Sequence, residues 1–487
     1  MNVLLNTLDQ FRGDCLSAAG HPVVRTPHLD RLAAEGLRLA RHHSQAAPCS
    51  PGRASLYTGT YLMNHRVVAN GTPLDDRFDN VARLARRAGY RPTLFGYTDQ
   101  GLDPRLAHGP DDPRLSTFEG VLPGFDVELG LDSDHRPWLA WLDGLGHDVP
   151  ADAITALATE PDRPADHSVS AFLTDRLVDW IDRQDGAWFA HASYLRPHPP
   201  YAAAGEWSRR HHPDDLPLPI PPAEKRHPLH ESVLHDPRAA APTDEGELRH
   251  LRAQYCGMVE EVDHQLGRLW AALEERGLWD DTFIVVTADH GEQAGDQGLK
   301  EKLGFFEASY HVLGIVRDPR NPETHGTVVD AFTENVDVVP TIAEAVGVEV
   351  PLQCDGLPLT PFLRGESPRA WRTAAHWEYD WRFVFIGQGT HPWPWDRRLE
   401  RQNLATLRTA DAAYVQFGDG SWLAFDLGAD PTWRTELTDP AGVLALAQEM
   451  LVWRANHAER TLTGMLLEDG GIGRLPPGVD ELLGRSR

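Results

Sequence analysis

Phe283-Ile284-Val285-Val286-Thr287 decides the fold, because a run of this kind is typical of a strand buried on both faces of a sheet. Asp289-His290-Gly291 follows it, where the strand is expected to end. Further short strands are predicted at residues 3–8, 92–96 and 187–193. Helical segments separate these strands, and the alternation predicts an α/β fold with a mostly parallel central sheet flanked by helices.

The clearest helix is predicted at residues 244–276, where apolar residues recur at helical spacing and mark one buried face. Gly277 is expected to end it. Residues 202–243 are rich in proline, histidine and charge, and they predict a long irregular segment over the active site or at a subunit contact. Shorter helices are predicted at residues 27–35, 51–58, 81–88 and 169–181.

The character of the sequence changes after Pro361, where tryptophans and short strand-like runs replace the alternation of strands and helices. We place a boundary near residue 365. It divides the chain into an α/β domain, residues 1–365, and a smaller C-terminal α+β subdomain with a short antiparallel sheet, residues 366–487. The predicted elements of the subdomain are strands at residues 413–417 and 422–425, joined by the turn Gly418-Asp419-Gly420, and a helix at residues 440–458.

The charge of the chain restricts what it can bind. Its 487 residues carry a formal net charge of −26, which argues against nucleic acid or an anionic membrane as a partner. An anionic substrate would therefore need a locally positive pocket in a negative molecule. No apolar run approaches the length of a membrane span, so no membrane association is expected.

The cysteines indicate a reducing compartment. A chain of this length with only four cysteines does not form a disulfide framework. The first strand begins near Asn2, which leaves no room for a signal peptide. We therefore expect a cytoplasmic protein. The cysteines are Cys15, Cys49, Cys256 and Cys354.

Cys49-Ser50-Pro51-Gly52-Arg53 places a cysteine at the mouth of a predicted helix and an arginine one turn into it. Pro51 fits the first helical position, and Gly59 fits the end. Such a helix directs free backbone N–H groups and its positive end at whatever group Cys49 carries. The segment therefore predicts an anion-binding site, and the alternative is a buried structural cysteine before an ordinary helix.

Polar pairs follow two of the predicted strands. Asp9-Gln10 comes after the strand at residues 3–8, and Asp289-His290 comes after the strand at residues 283–287. Side chains at the carboxyl ends of strands in one sheet can converge, and this set could hold a divalent metal. Oxygen donors favour Ca²⁺ or Mg²⁺, whereas a histidine nitrogen favours Mn²⁺, Fe²⁺ or Zn²⁺. The alternatives are a turn cap for Asp9 and a hydrogen-bonded core histidine for His290.

Three further side chains could act on an anionic substrate. Arg53 lies one turn past Cys49 and could bind an anionic oxygen. His198 is held between prolines in a stiff loop, which suits a general acid or a substrate clamp. Lys302 supplies a cation after the second polar pair. The alternatives are an exposed loop histidine for His198 and a solvated charged loop for Lys302.

Taken in order, several segments resemble the sulfatase branch of the alkaline phosphatase superfamily. Within it, the match is best to phosphonate monoester hydrolases, which also cleave phosphodiesters and sulfate esters. The resemblance extends over essentially the whole chain. It is carried by residues 2–10, 26–32, 49–59, 61–66, 196–200, 289–293, 354–357 and 425–431.

The resemblance implies the cofactors. The spacing C-x-P-x-R is the signal that a formylglycine-generating enzyme reads when it oxidises the cysteine, here Cys49, to formylglycine. One divalent metal ion is implied, with Mn²⁺ favoured over Ca²⁺. Its implied ligands are Asp9, Gln10, Asp289, His290 and the modified residue 49.

The resemblance also implies an activity. The chain is expected to hydrolyse phosphonate monoesters and phosphodiesters, with promiscuity toward sulfate esters, as a homodimer or homotetramer in which the tryptophan-rich C-terminal region is a candidate contact surface. The alternatives are a sulfate-ester hydrolase, a phosphoryl or sulfuryl transferase, and an inactive metal-binding relative. The implied catalytic residues are Cys49, Arg53, His198 and Lys302, and the implied substrate contacts include Asn70 and Tyr97.

Asp99 departs from the family pattern, which has a hydroxyl residue two places after the tyrosine. An acid that faces an anionic substrate would repel it. Asp99 is therefore expected either to point away from the site or to recognise a cationic part of the substrate.

Overall fold

The computed structural model describes residues 1–117, 119–382, 401–460, 463, 466–468 and 471–474. Its centre is an eight-stranded sheet with the strand order β4-β3-β5-β1-β6-β7-β2-β8. Every neighbouring pair is parallel except those that β7 makes with β6 and β2, so the predicted mostly parallel sheet is confirmed. The strands are β1 (Asn2–Leu8), β2 (Leu37–His43), β3 (Pro92–Gly96), β4 (Asp126–Gly130), β5 (Phe189–Tyr194), β6 (Thr282–Thr287), β7 (Gly314–Arg317) and β8 (Thr327–Glu334).

Helices cover both faces of this sheet because alternate side chains of β1 enter two different apolar layers. Leu4 and Leu8 belong to the layer that includes the long helix α9, while Val3 and Leu5 belong to the layer with α2, α4 and α10. The helices in chain order are α1 (Pro27–Ala34), α2 (Cys49–Thr58), α3 (Leu62–His65), α4 (Val81–Arg87), α5 (Arg136–Gly144), α6 (Ala153–Ala158), α7 (Val169–Ile181), α8 (Pro228–Leu234), α9 (Glu245–Glu275), α10 (Val338–Val346), α11 (Thr360–Leu363) and α12 (Pro440–Asn456).

The predicted helices lie within a few residues of the observed ones. α7 begins after Ser168, whose side chain accepts a hydrogen bond from the Ala171 N–H, and α9 begins after Asp244, which caps it in the same way. The prediction for residues 202–243 is wrong in one part, because α8 interrupts the irregular segment. Within α8, the imidazole of His230 donates a hydrogen bond to the Gln297 carbonyl oxygen, because a carbonyl oxygen only accepts.

The C-terminal region forms a separate four-stranded antiparallel sheet with the order β12-β11-β10-β9, which confirms the predicted short antiparallel sheet. Helix α12 packs against β10 and β11. A further antiparallel pair, β13 with β14, follows. The strands are β9 (Ala375–Asp380), β10 (Asn403–Arg408), β11 (Ala412–Phe417), β12 (Trp422–Asp426), β13 (Leu466–Glu468) and β14 (Gly471–Arg474).

The tryptophans of this region do not form one surface. Trp377 and Trp381 are buried in the apolar cluster beneath the C-terminal sheet, so neither can serve as part of a subunit contact. Trp371 is partly buried against the other core layer. Trp393 and Trp395, which belong to the same prediction, lie outside the described residues.

Across the described ranges, no helix combines the length and the apolar character that crossing a bilayer requires. All four cysteines are free thiols, as the small number of cysteines predicts.

Candidate active site

Asp9 and Asp289 lie side by side because their strands are neighbours. β1 pairs with β6 in parallel, with Thr7 opposite Thr287, so both strands deliver their next residues to the same edge of the sheet. The Gln10 N–H donates to Asp289 Oδ1 at 3.2 Å. The structure therefore brings the two predicted polar pairs together.

Four ligand-type side chains converge at this edge, and we call them the ligand cluster. Their oxygen, nitrogen and sulfur atoms all lie within 4.8 Å of one another, and all four residues are buried. Asp9 Oδ1 has no hydrogen-bond partner among the described residues, and a buried carboxylate oxygen in this state would be stabilised by a bound cation. The donor set therefore fits a divalent metal. The members are Asp9, Cys49, Asp289 and His290.

The orientation of His290 suits a metal ligand. Its Nδ1 lies 3.0 Å from the Gly291 carbonyl oxygen. Because a carbonyl oxygen only accepts, Nδ1 carries the proton and the lone pair of Nε2 is directed into the cluster. That Nε2 lies 3.3 Å from Cys49 Sγ and 3.6 Å from Asp289 Oδ2. Burial lowers the pKa of His290, which favours the neutral ring that a metal needs.

Cys49 stands at the first residue of α2, two residues earlier than the predicted start at Pro51. Pro51 lies in the first turn, where its missing N–H costs no hydrogen bond. Gly52 is required here because a Cβ at this position would lie 2.5 Å from the Asp289 carbonyl oxygen. The alternative of a merely structural cysteine does not explain why the thiol faces three potential metal ligands. Burial raises the pKa of the Cys49 thiol well above its usual value, so the unmodified thiol is a poor nucleophile.

Arg53 is fully buried and its donors are used by the protein. Its Nε lies 2.9 Å from Asp289 Oδ2 and one Nη lies 3.0 Å from Asp9 Oδ2. The other Nη donates to Ser193 Oγ at 2.8 Å and to the Tyr97 carbonyl at 3.2 Å. Arg53 thus holds both carboxylates of the ligand cluster. Burial alone would raise the pKa of Asp9, but the positive side chains around it, Arg53 and Lys302 among them, outweigh burial and lower that pKa.

Lys302 and His198 form a hydrogen-bonded pair beside the cluster. Lys302 Nζ lies 2.8 Å from Gln10 Oε1 and 3.0 Å from His198 Nε2. His198 Nδ1 donates to the Pro199 carbonyl at 2.7 Å, so Nε2 accepts from the ammonium. Lys302 is buried, which rules out the solvated charged loop. Burial alone would lower the pKa of Lys302, but the carboxylates of Glu301 and Asp9 raise it.

The pocket in front of Cys49 encloses ≈ 280 Å³. Asn70 lines the pocket, and its side-chain amide oxygen Oδ1 accepts a hydrogen bond from the Ser50 N–H at 2.9 Å. The Tyr97 hydroxyl donates to Asp9 Oδ2, and the Arg53 guanidinium lies 4.3 Å from the centre of the Tyr97 ring. The predicted site residues that line the pocket are Asp9, Cys49, Asn70, Tyr97, Asp99, His198 and Lys302.

Asp99 lines the same pocket, so the first of its two predicted alternatives, that it points away from the site, is wrong. Its carboxylate is buried and lies 3.8 Å from Arg53 Nε. Burial raises the pKa of Asp99 to about 7, against the opposing effect of Arg53. The backbone at Asp99 has a φ of 52°, in the left-handed region that non-glycine residues rarely adopt.

Two acids that were not predicted as site residues, the buried Glu292 and the half-buried Glu301, hold Gln10. The Gln10 amide nitrogen donates to Glu292 and, at 3.3 Å, to Glu301 Oε2. Glu292 also accepts from the Tyr201 hydroxyl at 2.9 Å. Because both acids accept from the amide nitrogen, the amide oxygen of Gln10 is turned toward Lys302. Burial and the nearby Glu301 raise the pKa of Glu292, so Glu292 holds its proton more tightly than an ordinary glutamate. The signal for Glu292 was its place in residues 289–293.

Comparison with known proteins identifies the family of the chain. The model of the Sulfatase family matches residues 1–348, and that of the N-sulphoglucosamine sulphohydrolase C-terminal region matches residues 295–451. The chain belongs to the sulfatase family. The predicted resemblance is therefore confirmed.

The proteins to which the chain is similar include one curated relative and two solved structures. The chain is 37% identical over 501 residues to the multifunctional alkaline phosphatase superfamily protein PehA of Trinickia caryophylli, covering 95% of this chain and 96% of that protein. The crystal structure of a phosphonate monoester hydrolase of Agrobacterium radiobacter is similar with a TM-score of 0.89 at 39% identity, covering 98% of this chain and 100% of that one. The phosphonate monoester hydrolase SpPMH from Silicibacter pomeroyi gives a TM-score of 0.88 at 35% identity, covering 98% and 99%.

Proposed function

We propose that this protein is a metal- and formylglycine-dependent hydrolase of phosphonate monoesters and phosphodiesters, with promiscuous activity toward sulfate esters. The observation that carries the proposal is the buried ligand cluster at the base of a pocket that also contains Lys302. Similarity over nearly the whole chain to two phosphonate monoester hydrolases supports the choice of substrate class.

Asp9, Asp289 and His290 would hold one divalent ion, together with Gln10 and the modified residue 49. The nitrogen donor favours Mn²⁺, and Ca²⁺ is the alternative. Such an ion, when bound, polarises an ester oxygen and lowers the pKa of a hydroxyl group beside it. Arg53 keeps both carboxylates in position before the ion arrives, because it binds one oxygen of each.

Cys49 would become formylglycine during maturation, when a formylglycine-generating enzyme reads the extended Cys49–Arg53 segment. Formylglycine, as its hydrate, supplies the hydroxyl nucleophile that a buried thiol of raised pKa cannot. The position of the side chain at the start of α2 places any negative charge there at the positive end of the helix.

Lys302 would stabilise the charge on the non-bridging oxygens and protonate the leaving alcohol. His198 accepts a hydrogen bond from Lys302 through Nε2 and uses its other nitrogen toward Pro199, so it orients Lys302 rather than donating a proton itself. Lys302 is the one lysine or arginine among the described residues that line the pocket. A single cation beside the metal suits a singly charged diester or phosphonate monoester better than a dianion.

The main alternative is a sulfate-ester hydrolase with the same machinery, which the match to the sulfatase family model favours. Aryl esters with one common leaving group distinguish the two. We expect kcat/KM to be highest for the phosphonate monoester, followed by the phosphodiester and then the sulfate. A clear preference for the sulfate would establish the alternative. Turnover of none of them by metal-loaded protein with modified residue 49 would refute both.

Three organisational proposals accompany the activity. We propose that residues 1–365 and 366–487 are distinct parts, which the confinement of the antiparallel sheet to the second part supports. We propose a cytoplasmic homodimer or homotetramer, which the free cysteines and the family resemblance support. Size-exclusion chromatography with light scattering tests the assembly, and a monomer at micromolar concentration would exclude it.

A further inference from the structure

The pocket that carries Lys302 also has an acidic wall, which we define as Asp99, Glu119 and Asp132. Asp99 is buried, Glu119 is half-buried and Asp132 is exposed, so the wall extends from the base of the pocket to its mouth. Such a wall is unexpected in a site that must admit an anionic ester, because like charges repel.

Asp99 is the decisive member because, among the described residues, only the shared charge of Arg53 compensates it. Its side chain is only 8% exposed, and no hydrogen bond reaches its carboxylate from the described residues. The nearest cation is Arg53 Nε at 3.8 Å, beyond hydrogen-bond distance. Arg53 already holds Asp9 and Asp289 at 3.0 Å and 2.9 Å, so its single charge is shared among three carboxylates. A buried acid in this condition is costly unless a partner arrives.

The backbone reinforces this interpretation. Asp99 adopts a φ of 52° in the loop after β3, a left-handed conformation that aspartate tolerates better than most residues but that still costs backbone energy. Here it directs a carboxylate into a pocket whose other groups bind an anion.

We infer that the acidic wall binds an ammonium group carried by the substrate, so that the preferred ester is zwitterionic. The inference rests on the proposed function and specifies its substrate class. The anionic ester group would lie at the ligand cluster and Lys302, and the ammonium on its alkyl arm would lie at Asp99. Leu131, Ile154, Leu157 and Leu195 line the same pocket and provide apolar contact for the carbons between the two charges.

A matched pair of substrates tests the inference. Para-nitrophenyl phosphocholine carries a cationic arm, and para-nitrophenyl dimethylbutyl phosphate has a carbon in place of the nitrogen, with the same leaving group. We expect the ratio of their kcat/KM values to favour the cationic arm in the wild type. We expect that ratio to fall about 10- to 100-fold in Asp99→Asn, because the quaternary ammonium has no N–H and the variant removes the charge–charge attraction that holds it. Asp143→Asn, which removes one exposed charge from α5 away from the pocket, is the matched control and should keep the wild-type ratio.

Calorimetric binding of the same two diesters to Cys49→Ala reports the preference without turnover. A preference for the cationic arm that disappears when Asp99→Asn is added supports the inference. This holds even if neither diester is hydrolysed, a result that would refute only the proposed function. Equal affinity for the two arms, or a ratio that Asp99→Asn leaves unchanged, overturns the inference, while hydrolysis of the diester with the uncharged arm keeps the proposed function.

A free cation could occupy the wall in place of a substrate group. In that case tetramethylammonium chloride would accelerate hydrolysis of the diester with the uncharged arm by the wild type but not by Asp99→Asn, and the ratio would not favour the cationic arm. That result would also overturn the inference.

Discussion

The side chains at the carboxyl edge of the central sheet fall into two groups that are held differently. Asp9 and Asp289 directly follow neighbouring strands and are fixed by Arg53. Lys302, His198 and Asp99 come from loops and meet only across the pocket. The first group has the rigidity that a metal site needs, whereas the second can change between relatives without disturbing the sheet. We therefore expect substitutions in the first group to affect metal and stability, and those in the second to affect rate and selectivity.

The largest effect is expected at Cys49, which belongs to the ligand cluster and also lines the pocket. Cys49→Ala should lower kcat/KM by roughly 10⁴-fold or more, because the variant retains the pocket but lacks the nucleophile. Cys49→Ser should be impaired nearly as much. Mass spectrometry of the peptide that contains residue 49 should detect formylglycine in the wild type alone. Cys354→Ala, at a half-buried thiol outside the pocket, is the control. Near-wild-type activity in Cys49→Ala would contradict the mechanism.

Arg53→Gln should separate stability from chemistry in the strand-held group. Without Arg53, the buried carboxylates of Asp9 and Asp289 lose their shared partner, at a cost of about 3–5 kcal/mol in the free energy of unfolding. Urea denaturation in EDTA measures this cost. Added Mn²⁺ should recover part of it, because an ion also compensates the carboxylates. A loss below about 1 kcal/mol would mean that Arg53 does not hold the cluster.

Lys302→Met should act on the rate. We expect a loss of about 10²- to 10³-fold in kcat, with unchanged metal content, since Lys302 is not a ligand. The loss should grow as the leaving alcohol becomes more basic, because such a group depends more on protonation. A series of phenyl esters provides the measurement. An effect independent of the leaving group would assign to Lys302 a purely electrostatic role.

Glu292→Gln should weaken the metal site through Gln10 by about 10- to 100-fold in metal affinity. The reason is that an amide at position 292 could donate to the Gln10 oxygen, which would turn that oxygen away from the site. Metal titration of the apoprotein, followed by calorimetry, gives the affinity. Glu301→Gln provides the comparison, since Glu301 makes the longer contact, 3.3 Å. Unchanged affinity in Glu292→Gln would show that Gln10 needs no such support.

The smallest effect is a pH dependence of stability at Asp99. Its pKa is raised from 3.8 to about 7, so between those values the folded protein holds a proton that the unfolded chain has lost. Stability therefore decreases as the pH rises through this window, by about 1 kcal/mol per pH unit. Asp99→Asn should remove that slope in EDTA. Parallel curves for the two proteins from pH 4 to 7 would contradict the shift.

The sequence predicted the elements that have a strong local pattern. The run at β6 and the spacing in α9 need only burial on one or two faces to be recognised. β2 and β7 were not predicted, because β2 mixes basic with apolar residues and β7 has only 4 residues. Their place in the sheet depends on partners far away in the chain. The same holds for α8, whose 7 residues fall in a proline-rich segment.

The site was predictable to different depths. Strand topology is enough to bring Asp9 and Asp289 together, whereas Lys302 was assigned from family resemblance and its alternative was a solvated loop. Glu292 was part of a quoted segment without a role. No pattern in the sequence could reveal that Arg53 donates to the carboxylates of Asp9 and Asp289, because these residues lie 44 and 236 positions away from Arg53 along the chain.

The sequence by itself determined the alternation of strands and helices, the position of the cysteine at a helix start, and the polar residues after two buried strands, because each depends on neighbours along the chain. Only the tertiary structure decided which way Asp99 faces, how Gln10 is turned and which group compensates which charge. Those properties depend on packing and electrostatics between segments that are distant in the sequence, where a single carboxylate can face either solvent or a substrate.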